Sequence, residues 1–244
     1  MSRTEPEQKK QRASPRKRHW TRWVLAVLLA VMSTHTWWLS VLGEFLLAEE
    51  ARPHADVALV IGGDHRMHEA AKLMSTSAVS QIWLIERDPS YAVEAGILPA
   101  DHDMALEQLE CLGVPAKDIR LLEGHASQPE HVARIVDREL RLRPETEVVI
   151  LCQRSHGRNV QTVFADVLRH PANFSVMGLP ADEYDEHNWW RSRTGWKETF
   201  IAFSDLMFTL TVGVETNAQR SRFDPDAYEQ ALNSRFGEVS CHAD

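Results

Sequence analysis

At 244 residues, with 25 % charged and 43 % apolar side chains, the chain has room for one α/β-sized domain plus accessories and is neither a disordered nor a collagen-like polymer. Three cysteines (Cys111, Cys152, Cys241) exclude a disulfide-built scaffold and a CxxC zinc module. The net charge of −8 is unevenly spread: residues 1–23 hold eight Lys/Arg against two Asp/Glu and the remainder 19 against 33, so the acidic body argues against a nucleic-acid partner.

The basic start, Lys9 to Arg22, gives way to 21 uncharged residues, Trp23–Gly43. As a single helix these would span roughly 31 Å, the thickness of a bilayer core. Trp20 and Trp23 stand at one end, Trp37 and Trp38 towards the other, and Glu44, Glu49 and Glu50 follow. Basic before and acidic after predicts a cytoplasmic N-terminus and an extracytoplasmic body, which in a bacterium means a single-pass inner-membrane protein. Ser33, Thr34, His35 and Thr36 interrupt the run, so a cleaved signal peptide with its apolar core at Val24–Met32, or a buried helix, are rival readings. The chain then divides into a basic tail (1–22), a transmembrane anchor (23–43), a linker (44–54), an α/β domain (55–214) and a polar tail (215–244).

Within the domain, strand-like and helix-like runs alternate. Asp56–Ile61, Gln81–Ile85, Asp118–Leu122, Glu147–Leu151 and Phe174–Met177 are short apolar runs suited to buried strands. Between them a helix begins over Glu69–Met74, and others are predicted at Asp101–Leu112, Pro129–Leu142 and Asn159–Leu168. Thr194–Thr211 is a closing helix, too charged at Glu198 and Asp205 to be a second span. The repetition predicts a Rossmann-like three-layer sandwich with a mostly parallel five-stranded sheet, ordered 3-2-1-4-5.

Ligands of such sheets bind beyond the carboxyl ends of the strands, where strand order reverses. The loops expected there carry Gly62-Gly63-Asp64-His65-Arg66, Cys152 to Arg158, and Asn188 to Arg193. Gly62 and Gly63 permit close backbone approach. Arg66, Arg154, Arg158, Arg191 and Arg193 offer donor forks for phosphate or carboxylate, or else pair with nearby acids such as Asp64 and Asp182. His156 is the candidate general acid/base. Asp64, His65 and His68 lack the spacing of a zinc helix, so no metal is expected. Cys152 reads as a buried small apolar residue, and Trp189-Trp190 as packing of the closing helix or a wall over the pocket.

Taken in order, Ala55 to Gly63 followed by Arg66, Gly113-Val-Pro-Ala-Lys-Asp-Ile119, Val149–Arg158, and Asn188 to Arg193 with Lys197-Glu198 resemble the bacterial SanA/ElyC/YdcF family, over roughly Ala55–Val214. The resemblance implies a Rossmann-like domain acting in cell-envelope biogenesis or barrier maintenance, and carries Gly62, Gly63, Arg66, Glu130, Arg158 and His156 into the site. The chain departs from the family pattern at Ile85-Glu86 and at Gln128-Pro129-Glu130-His131. The expected partners are the membrane and an anionic small-molecule or lipid-linked ligand. The sequence names no cofactor. It leaves open an enzyme, a non-catalytic binding or regulatory protein, and a nucleotide- or S-adenosylmethionine-binding enzyme.

Overall fold

Five short apolar segments build the centre of the molecule, seen here in a computed structural model that describes residues 15–214 apart from 50, 53, 127 and 171–172. They are β1 (Val57–Val60), β2 (Gln81–Glu86), β3 (Ile119–His125), β4 (Val148–Gln153) and β5 (Phe174–Leu179). The sheet order is β3-β2-β1-β4-β5 and every pairing is parallel. Every residue of β1 is buried, as is β4 up to Cys152, because helices cover both faces. This is a Rossmann-like α/β sheet with its order reversing between β1 and β4.

The helices are α3 (Asp64–Ser75), the short α4 (Tyr91–Glu94), α5 (Asp101–Cys111), α6 (Pro129–Leu142), α7 (Gly157–Val167) and α8 (Arg193–Val212). Helices α3 and α5 pack together on one face, and α6 and α7 together on the other, with α8 beside α7. Helix α6 shows why the pattern works. Pro129 sits in its first turn, and Val132, Ile135, Val136 and Leu140 are buried along one side. Its buried acids are paired: Glu139 accepts from Arg120 at 2.7 Å, and Asp137 from Arg141 Nε at 2.9 Å and the Arg169 amide at 3.2 Å. Helix α3 begins five residues earlier than expected. Gly62 takes φ +97° and Gly63 is extended, which turns the chain into a helix directly after the strand.

The N-terminal run departs most from expectation. Instead of one helix through 23–43 there are two, α1 (Pro15–Ser33) and α2 (His35–Phe45), bent by 59° at Thr34. Among the described residues no single helix is long and apolar enough to cross a membrane; the pair meets that test only jointly. Local chemistry explains the break. The Ser33 and Thr34 hydroxyls both donate to Ala30 O, at 2.9 and 2.8 Å, and His35 Nδ1 lies 2.6 Å from Met32 O. Tertiary contact then holds α2 to the domain. Leu39 is buried, Trp189 Nε1 donates to Leu39 O at 3.1 Å, and a side chain at Gly43 would collide with Glu186 O. By contrast Trp20, Trp23, Leu25, Leu29 and Met32 of α1 are exposed.

In the expected linker over 44–54, Phe45–Glu49 is fastened to α7. Of the basic tail, residues 1–14 lie outside the described residues, as does the polar tail from residue 215.

Candidate functional site

Reversal of strand order leaves a cleft of about 340 Å³ beyond the carboxyl ends of β1 and β4. Gly63, Arg66, Gln153, Tyr184, Thr194 and Glu198 are among its walls. One wall is the β1–α3 turn. The Arg66 guanidinium lies on the α-carbon of Gly62, where a β-carbon would collide with it. Any larger residue at Gly62 would therefore be strained twice, by its positive φ and by Arg66.

The second wall is the end of β4. Gln153 Nε2 donates to Tyr184 Oη at 2.6 Å. Burial raises the Tyr184 phenol above its ordinary range. The chain then makes a 3-10 turn, Arg154–His156, before α7. The third wall is α8, capped by the Ser192 hydroxyl, which accepts from the Gly195 amide at 2.8 Å. One turn further on, Glu198 Oε2 stands 3.9 Å from His156 Nε2, while Asp205 Oδ2 stands 4.0 Å from His156 Nδ1.

His156 is thus a half-buried imidazole between two carboxylates. Burial lowers its pKa, and Arg66 adds to that; Asp205 and Glu198 oppose it without reversing it. The ring is neutral at pH 7 and can both accept and donate a proton. A folded pKa below the unfolded one means that stability is full above the unfolded value of about 6.5 and is lost as pH falls through the lowered value.

The expected site residues separate into those the fold gathers and those it does not. Gly63 and Arg66 line the cleft, Gly62 lies against the Arg66 guanidinium, and His156 adjoins the cleft through Glu198. Asp64 opens α3 beside them, its side chain outside the described residues. Arg158 does not face the cleft. Its Nη1 donates to Phe45 O at 2.8 Å, its amide to Leu46 O at 2.9 Å, and its guanidinium lies 4.5 Å over the Phe45 ring. Arg191 and Arg193 are exposed next to Thr194 without lining the cleft. Glu130 starts α6 after β3, on the far side of β2 and β1 from His156. Arg154 pairs with Glu186 at 2.9 Å.

Glu198, which the sequence offers as a charge in the closing helix and in the Lys197-Glu198 pair of the family resemblance, joins Asp205 and Tyr184 at the site through the fold. The signal in the sequence is a pair of acids seven residues apart, Glu198 and Asp205, on one side of a largely apolar helix. Trp189 is buried edge-on against Trp196 at 4.9 Å, the packing role. Among the described residues, no group of three or more His, Cys, Asp or Glu is arranged to hold a metal.

Cys152 is buried, and desolvation pushes its thiol up to about 12 even with Arg66 nearby. In the native chain at pH 8, iodoacetamide is therefore expected to label exposed Cys111 and to spare Cys152 until denaturant is added, as read by peptide mass mapping. Neither a protein-family model nor a curated protein matches this chain.

Proposed function

We propose that this chain is a membrane-anchored, extracytoplasmic factor of the bacterial envelope whose cleft binds and processes an anionic, phosphorylated envelope precursor. One observation carries the reading: Arg66, in the first turn of α3, and Glu198 of α8 line the crevice where strand order reverses, with His156 beside Glu198. Arg66 and the first amides of α3 make one side of the cleft suited to an anion. Glu198, with neutral His156 beside it, supplies a proton acceptor and donor for a hydroxyl or water attacking next to that anion. The anchor reading draws on the apolar α1–α2 pair, on the basic residues before it and on the acidic ones after it.

The test is calorimetric titration of the full chain in detergent with inorganic pyrophosphate and a short-chain polyprenyl phosphate. Arg66→Ala is expected to weaken binding by about 1.5–3 kcal/mol, the worth of a charge-assisted hydrogen bond. Arg158→Ala should leave it within about twofold, because that guanidinium is engaged with Phe45. Equal binding by wild type and a folded Arg66→Ala protein would overturn the anion site. Binding without turnover of the lipid phosphate would leave a ligand-binding regulatory protein in place of an enzyme.

A further inference from the structure

We infer that Phe45–Glu49 is a strap that couples the seat of α2 to the cleft, by holding the β4–α7 turn against α8. The inference takes the cleft to be the site proposed above, but its evidence is geometric. On one side the strap is tied to the first turns of α7. Leu46 O accepts the Arg158 amide at 2.9 Å, Phe45 O accepts Arg158 Nη1 at 2.8 Å, and the Glu49 amide donates to Gln161 Oε1 at 3.1 Å. Gly157 makes this approach possible: a β-carbon there would stand 3.0 Å from Ala48 N and 3.2 Å from Ala48 Cβ. On the other side Leu46, 1 % exposed, packs into Ala202 and Leu206 of α8.

The two elements joined in this way are those whose side chains meet at His156, beside the cleft. His156 immediately precedes Gly157, and Glu198 and Asp205 flank Ala202 on α8. The groups that face the His156 ring are Glu198 and Asp205 from α8 and Arg66 from α3. The separation of His156 from both carboxylates is therefore set by a segment contributing no side chain to the chemistry. Upstream, the strap continues into α2, which is seated by the Trp189–Leu39 hydrogen bond and by the close approach of Gly43 to Glu186. A small void bounded by Leu46, Ser155, Tyr184 and Thr199 lies under the strap, so lifting it would admit solvent beside the turn that carries His156.

The experiment uses the full chain in lipid nanodiscs, with no ligand. Two substitutions dislodge different parts of the device: Gly157→Ala crowds the strap at Ala48, and Gly43→Ala crowds α2 at Glu186. Alanine suits the helical backbone at Gly157 (φ −54°), so the fold should survive, which unchanged amide protection in α6 would verify. Both variants are expected to raise amide exchange over 45–49 and at Arg158 at least tenfold. Both are also expected to move the NMR titration of the His156 ring upward, towards the ordinary imidazole value of about 6.5.

Faster exchange with an unmoved His156 titration would reduce the strap to a tether and overturn the inference. So would unchanged exchange in both variants, since the segment would then be a fixed part of the core. A shift in Gly157→Ala alone would overturn the coupling to α2. Because neither readout involves ligand, failure of pyrophosphate binding would count against the functional reading and leave this result standing.

Discussion

Glu198→Gln and His156→Gln are each expected to cut turnover of a phosphorylated substrate by about 10²–10⁴-fold while leaving its affinity nearly unchanged, the range for loss of a general acid/base. The reason is positional. Arg66 carries a charge that stays on its guanidinium, whereas the Glu198–His156 pair exchanges protons, so the charge that holds an anion is not the charge that moves a proton. The effects should not add, because the two side chains act as one unit. A pH signature separates them from ordinary structural residues. Glu198 raises the His156 pKa, so Glu198→Gln should lower the imidazole titration further and carry the acid limb of the rate profile with it. In His156→Gln that limb should vanish, together with the stability lost as pH falls below about 6.5. Unchanged turnover in both variants would leave the cleft as a binding site only.

Trp83→Ala is expected to destabilise the domain by about 3–5 kcal/mol, a large part of the roughly 5–15 kcal/mol that holds a domain folded. Trp83 is fully buried in β2, between β3 and β1. Its indole N–H donates to Gln81 Oε1 at 2.7 Å, and the Arg120 guanidinium lies 5.9 Å from its ring. Alanine would leave a cavity the size of the ring system and strip Arg120 of part of its cover, although Arg120 keeps its bond to Glu139. Urea unfolding followed by far-UV circular dichroism should show the midpoint falling with little change in slope. Trp83→Phe, which keeps most of the volume, should cost far less. A loss under about 1 kcal/mol for the alanine variant would mean that β2 is not the centre of the core.

Local pattern determined much of this protein. Runs such as Asp56–Ile61 and Glu147–Leu151 are too short for helices and too apolar for loops, and the single-sided apolar face of Pro129–Leu142 admits only a helix; these signals need no knowledge of distant residues. β-α alternation and the rules of parallel crossovers point to the sheet order found, and with it to Gly63 and Arg66 at the reversal point. Tertiary structure alone decided the rest. Where α2 would rest after the break at Thr34 depended on the seat that Trp189 and Glu186 offer it. Whether Arg158 faced a ligand depended on Phe45 and Leu46 reaching it first. Glu198 and Asp205 became partners of His156 because α8 folds back across α7. Periodicity reports which face of an element is buried, but not which distant element buries it, and a site assembled from three such elements is fixed by those long-range contacts.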